Sequence, residues 1–319
     1  MKVLLAGADG AIGSLLTPLL IARGHDVLGL IRNPAGAIRV RELGARPVVA
    51  DALDRDGLLR AVDGLNADAV IHELTALRKP PFRARGMAMT NRLRVEGTSH
   101  LVDAARRLGA KRMVTQSITL GYGYREHGER ILTESDPFGV MEGDLTDDAV
   151  EAMRSAEAQT FQLEAGVAVR YGLLYGGDGP QMHAMLVKRR VPVFAGGLLN
   201  WVHHLDAAAA TVAALENGRP GQAYNIVDDR PATWHEVMTA MAAHFGAPPP
   251  RRLPRWIMRL VAPYLARVAI DTSMRVSNDK AKTELGWQPR FKTYVEGVAV
   301  MAPAARPHTG TTQTPIAQT

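Results

Sequence analysis

Three glycines, Gly7, Gly10 and Gly13, lie between a short apolar run and an amphipathic stretch, and this order leaves few folds open to the chain. Lys2–Ala6 is apolar after its first residue, as expected of a strand buried on both faces of a parallel sheet. Beyond Gly10, the residues Ile12, Leu15, Leu16, Leu19 and Leu20 recur at helical spacing on one face. Gly24 reads as the helix stop and Asp26–Ile31 as a second strand. In such a strand, turn, helix and strand the glycines let the backbone approach a pyrophosphate. The helix N-terminus adds unpaired N–H groups and a partial positive charge. Gly7, Asp9, Gly10, Ala11, Ile12 and Gly13 are therefore the expected cofactor-binding turn. The plainer alternative is a glycine-rich loop with no ligand.

Where the second strand ends, an NAD-binding unit often carries an acid that bonds both ribose hydroxyls. Here Ile31 is followed by Arg32 and Asn33. The planar guanidinium suits a 2′-phosphate, so Arg32 favours NADP. NAD is the alternative if Arg32 merely faces solvent. Arg39 and Arg41 are further basic residues nearby.

Strand-like and helix-like segments alternate through the first half. Residues 46–50, 68–73, 112–117 and 167–172 read as strands, with helical stretches between them, notably 86–108 and 147–163. This predicts an α/β fold: a Rossmann-type, doubly wound parallel sheet that binds ligands beyond the carboxyl ends of its strands. The second half is more mixed. It suggests strands at 191–195 and 224–227, helices at 206–215, 233–245 and 254–268, and a break at 248–250. The expected division is an NAD(P)-binding domain over 1–170, to which 206–230 returns, and a smaller mixed α/β substrate-binding region over 171–205 and 231–302. The tail, 303–319, is rich in Thr, Pro and Gln, lacks an apolar pattern and is expected to be disordered.

Composition excludes several classes. The 319 residues include no cysteine, which rules out disulfides and thiolate-bound metal, and the histidines and acids show no metal-ligand spacing. No uncharged apolar run reaches membrane-spanning length and no secretory signal is read, so a cytoplasmic protein without a membrane partner is expected. The net charge of +6 is dispersed and aromatics make up only 5%, poor material for base stacking, so no nucleic-acid partner is expected.

Taken in order, the segments Leu5 to Gly13, Asp51 to Asp54, Val70 to Ala76, Val114 to Ser117 with Tyr122 and Gly123, Arg170 to Gly176, Trp201 to Asp206 and Leu285 to Pro289 form a series. Over roughly residues 1–300 it resembles the extended short-chain dehydrogenase/reductase family, the NAD(P)-dependent epimerase/dehydratase group. The resemblance implies that Asp51, with Ala52 beside it, contacts adenine, and that Leu74 and Gln116 lie beside the cofactor. It also places Asn91 where the family has a helix asparagine. It implies a small hydroxyl or carbonyl substrate, such as a nucleotide sugar or secondary metabolite, and a homodimer packed through the two long helices.

One departure stands out. The family's general acid/base is a tyrosine followed one helical turn later by a lysine, whose charge lowers the phenol pKa. No tyrosine here has a lysine at the fourth following position. If Glu157 is the glutamate that follows the pair, Ala149 and Met153 stand in its place. Ser117 is the first candidate replacement, as a hydrogen-bonding group at a strand end, with Thr119 as its alternative. Tyr122, Tyr124, Tyr171 and His203 are further acid/base candidates, each with a plain packing role as the alternative. His204 diverges from His203, and Glu73, beside His72, could be a base, cap a helix or pair with Arg78. Three functions remain open. They are an NADP(H)-dependent oxidoreductase or epimerase with a rearranged proton relay, a non-redox isomerase, cyclase or lyase, and a nucleotide-sensing regulator.

Overall fold

Seven parallel strands make the central sheet of this computed structural model, which describes residues 1–77, 80–177 and 179–302. They are β1 (Lys2–Ala6), β2 (Asp26–Ile31), β3 (Arg46–Val49), β4 (Ala69–His72), β5 (Arg112–Ile118), β6 (Ala165–Tyr171) and β7 (Gln222–Ile226). Their order is β7-β6-β5-β4-β1-β2-β3, so the winding reverses between β1 and β4. That switch point opens a crevice at the carboxyl ends of the strands.

Alternation along each strand builds two cores. Val3, Leu5 and Val114 face one side, where α1 (Gly13–Ala22), α2 (Gly36–Glu42) and, from the second half, Ala207, Ala210 and Leu215 cover them. Leu4, Val70 and Met113 face the other, against α3 (Arg55–Ala61) and the helical run that ends at Leu108. That run is not one regular helix, as the expected helix at 86–108 would be. It comprises α4 (Ala88–Arg92), a wider π turn (Leu93–Gly97) and α5 (Thr98–Leu108). The helix α6 (Asp147–Thr160) lies beside it.

The second half adds α7 (Gly179–Val187), α8 (His204–Asn217), α9 (Trp234–His244), α10 (Arg255–Val261) and α11 (Pro263–Ala269). A separate core gathers Tyr175, Phe194, Trp201, Trp234, Met238 and Leu265. Two expectations fail here for identifiable reasons. Pro263 starts a new helix rather than continuing the old one, because proline lacks the N–H that an inner turn requires. At 191–195 the residues Val191, Val193 and Phe194 are buried, yet only one bridge forms, between Val193 and Arg252. Their apolar run reflects burial in a loop, not a strand. Short pairings that the sequence pattern did not show join Glu126–Leu132 to Ser273–Val276 and Leu173–Tyr175 to Trp201–His203. Among the described residues no helix is long and apolar enough to cross a membrane. The tail at 303–319, expected to be disordered, lies outside the described residues.

Candidate functional site

The glycine turn is built by close backbone approach. Gly7 has φ +91°, a left-handed conformation that favours glycine, and its N–H meets the Leu30 carbonyl at 3.0 Å. A side chain on Gly13 would fall on the Gly7 carbonyl oxygen, so this glycine lets α1 start directly against the turn. At Gly10 a Cβ would stand 3.0 Å from the same oxygen. No side chain caps the N-terminus of α1 and its first turn holds no acid. The N–H groups of Ser14, Leu15 and Leu16 already bond the Gly10 and Ile12 carbonyls, so the turn offers an anion the dipole and the amides that precede them. Ala11 and Ile12 complete the turn, and the carboxylate of Asp9 lies 2.8 Å from where a Cβ on Gly36 would be, at the start of α2.

Arg32 is exposed just past β2 and forms no ion pair among the described residues. Asp51 turns its own loop by accepting from the Leu53 N–H at 2.9 Å, and the Ala52 carbonyl bonds His100 on α5 at 2.8 Å. These contacts hold the edge where the resemblance expects adenine. Gln116 donates to the Leu74 carbonyl at 2.8 Å and so ties the loop after β4 to β5.

At the end of β4, His72 and Glu73 are both buried. His72 Nδ1 accepts from the Leu74 N–H at 3.1 Å, and the other side of the ring faces the Leu93 backbone at the start of the π turn. Burial pushes the imidazole down to about 4, so it is neutral at pH 7. Glu73 caps no helix among the described residues, and its buried Oε2 has no partner there. Tyr171 donates to its Oε1 at 2.8 Å and also meets Thr211 on α8. Burial pushes this carboxyl up to about 8, so it holds a proton at neutral pH. Arg78 lies outside the described residues.

The other candidates are placed in distinct ways. Ser117 is 3% exposed at the end of β5, and its Oγ has no partner among the described residues. Asn91, on α4, is half-buried with Oδ1 unpartnered. Tyr122 donates to Asn225 Oδ1 at 2.9 Å and accepts from Arg170 Nη1 at 2.9 Å. Arg170 in turn grips Glu157 with two bonds, at 2.9 and 2.7 Å. Burial pushes the Tyr122 phenol up to about 12. Its hydroxyl is thereby engaged by the Glu157–Arg170 pair. Tyr124 shares a hydrogen bond with Tyr264 of α11 at 3.0 Å. Both tyrosines sit in an apolar cluster with Ala149, Val150 and Met153 of α6. Thr119 is buried nearby. His203 caps α8 by accepting from the Leu205 N–H at 3.2 Å, and its ring packs on Phe291 with centroids 4.5 Å apart. His204 turns instead toward the Tyr175 carbonyl.

Sequence reasoning passed over Arg94. It lies within the π turn, half-buried, with Nη1 out of solvent and without an acceptor. A charge on a helix usually marks the solvated face, so the pattern carried no signal for it. Beside this region a cleft of about 460 Å³ is lined by Ala76, Leu77, Phe82, Arg83 and Val261, a volume within the range of small-molecule sites.

The pattern of the NAD dependent epimerase/dehydratase family matches residues 3–227. The 3-diazoavenalumate denitrifying reductase of a Streptomyces species is 38% identical over 314 residues, covering 93% of this chain and 99% of that protein. Two solved structures share the fold. One is DesIV, a dTDP-glucose 4,6-dehydratase from Streptomyces venezuelae with NAD bound, at TM-score 0.74 and 22% identity, covering 94% of this chain and 95% of that one. The other is the human epimerase family protein SDR39U1 with NADPH, at TM-score 0.73 and 22% identity, covering 94% and 99%.

Proposed function

The chain belongs to the NAD dependent epimerase/dehydratase family, and from that premise we propose that it is an NADP(H)-dependent reductase that replaces the diazonium group of a small molecule with hydrogen. The carrying observation is the face of α6 where a tyrosine and lysine would stand. With Glu157 taken as the glutamate that follows the pair, Ala149 and Met153 would stand there; they are 2% and 0% exposed in an apolar cluster, and neither could transfer a proton. Reduction of a carbonyl leaves an oxyanion that must be protonated, and epimerisation through a ketone must first remove a hydroxyl proton. Diazonium reduction has a different balance. A hydride adds at the carbon, a C–H bond forms, the C–N bond breaks, and its electron pair leaves within N2. No oxygen is left to protonate. The 38% identical relative carries a diazo compound and reduction in its name, which supports this reading over an epimerase.

The residues fit a nicotinamide dinucleotide, which when bound would supply the hydride. Gly7, Asp9, Gly10, Ala11, Ile12 and Gly13 would hold the pyrophosphate at a turn where side chains do not fit. Arg32, exposed and in no ion pair among the described residues, would hold a 2′-phosphate, while Asp51 and Ala52 would border the adenine. Leu74, Asn91 and Gln116 would flank the nicotinamide half. Ser117 Oγ, buried without a partner among the described residues, would bond the carboxamide or the substrate, since a buried polar atom left unpaired in the free protein marks a place for a ligand. Tyr122, Tyr171 and His203 are then positioning residues, held by Arg170, Glu73 and α8. Segments 1–170 and 206–230 would carry the nucleotide, and 171–205 with 231–302 the substrate.

The test is single-turnover reaction of nucleotide-stripped protein with an aryl diazonium compound and NADPH deuterated at the transferable position. Deuterium in the new C–H bond, with one N2 per NADPH oxidised, is the expected result. Conversion by the apoprotein would favour a non-redox enzyme. NADPH oxidation by carbonyl compounds alone would return the reading to a conventional reductase.

A further inference from the structure

Arg94 presents a cation where the described residues supply no anion. Its Nη1 is buried without an acceptor and it forms no ion pair. An unpaired charge in a protein interior is costly unless something else compensates it. The groups its charge acts on are His72, Tyr124 and Tyr264, which come from β4, the loop after β5, and α11. His72 is neutral at pH 7, and neither phenol is ionised there, because burial pushes both up. The acid that acts on Tyr124 is Asp144, which is already bonded to Arg267 at 2.5 Å and to Thr146. The guanidinium is therefore not neutralised from any of these sides.

The two phenols add a second element. Their hydroxyls lie 3.0 Å apart. Two hydroxyls carry two protons, and only one can lie between them, so the other is free to donate outward. The phenols do not line the cleft themselves but lie one backbone contact from it. The Tyr264 N–H bonds the Phe82 carbonyl at 3.0 Å, and Phe82 and Val261 line the cleft of about 460 Å³. Arg83, on the same cleft, adds positive charge at its wall.

We propose that Arg94 and the Tyr124–Tyr264 hydroxyl pair form an anion subsite that receives the carboxylate of the substrate. A carboxylate would take the planar guanidinium side by side and accept the free phenolic proton, the pairing that arginine serves better than lysine. The subsite refines the reductase reading, because it names an acidic substrate for the same site. Its two tyrosines share the apolar cluster that holds Ala149 and Met153.

The experiment is calorimetric titration of the NADPH-loaded enzyme with 4-hydroxycinnamate and with its amide, which differ only in the carboxyl group. For the unaltered protein, the carboxylate is expected to bind at least about tenfold more tightly. R94M should bring the two affinities together, R94K should restore part of the difference, and Y264F, which keeps the charge, should reduce it by a smaller factor. R94M should also raise the melting temperature of the ligand-free protein, because it removes a half-buried charge whose Nη1 donor has no acceptor. A structural arginine would do the opposite. Equal affinities in the unaltered protein would overturn the subsite, as would an R94M protein that melts lower, loses NADPH binding, or keeps its preference for the carboxylate. Neither probe carries a diazo group, so this outcome is independent of whether diazo reduction is the reaction.

Discussion

Glu73→Gln probes the buried carboxyl beneath the glycine turn. Glu73 is 6% exposed, accepts from Tyr171 at 2.8 Å, and is pushed from 4.5 to about 8 by burial. Between those values the folded protein holds a proton that the unfolded chain has released. Stability from this group is complete below about pH 4.5 and is lost as pH rises through about 8. The limiting slope is about 1.4 kcal/mol per pH unit, and with partial ionisation near 8 the loss from pH 7 to 8 is about 1 kcal/mol. Asp228, bonded to Tyr175 at 3.0 Å and raised by burial to about 8, acts in the same direction. His72 and His203, both lowered to about 4, act below their ordinary value of 6.5 and contribute little in this window. The unaltered protein should therefore lose about 2 kcal/mol from pH 7 to 8, and E73Q about 1 kcal/mol, or roughly 4 °C against 2 °C in Tm. Thermal melts of ligand-free protein across pH 6 to 9 measure this. If E73Q kept the full slope, Glu73 would already be ionised in the folded state and the reasoning would fail.

Arg32→Ala should weaken NADP(H) by roughly ten- to a hundredfold and leave NAD(H) nearly unchanged, measured by calorimetry; equal losses would remove the 2′-phosphate assignment. Gly13→Ala places a methyl group on the Gly7 carbonyl, so it should abolish dinucleotide binding and lower stability by about 1–3 kcal/mol in urea melts. Arg170→Met strands the buried Glu157 carboxylate and should cost about 3–5 kcal/mol. The double variant R170M/E157L should recover most of that loss, and failure to recover would show that Arg170 acts mainly through Tyr122.

The glycine turn was legible because its constraint is backbone contact: Gly7 and Gly13 have no room for another residue, and such positions show in the sequence as glycine alone. The parallel sheet was legible for a related reason, since strands buried on both faces read as continuous apolar runs. The same signal misled at 191–195, where apolar residues fill a loop. It was silent at Glu126–Leu132, whose mostly exposed residues carry no alternation. At the site, residue types suggested chemistry but not partners. Tyr122, Tyr171 and His203 look alike as candidates in sequence, and only the fold shows each engaged by a neighbour. Arg94 gave no signal, because its role depends on groups that come from β4, the β5 loop and α11 and are distant in the chain.

The π turn between α4 and α5 sets two rotational phases along one rod. A π turn holds about one residue more than an α turn, which offsets the faces on either side by about 100°. Beyond it, Leu101, Val102 and Ala105 are locked to the sheet, while Asn91 and Arg94 keep a separate aim. A single-residue deletion at 93–97 would bring the two halves back into phase and swing every side chain of α4 at once. Changes of length here should re-aim the site more than any substitution, so relatives that differ by one residue in this segment are expected to differ in the substrates they accept.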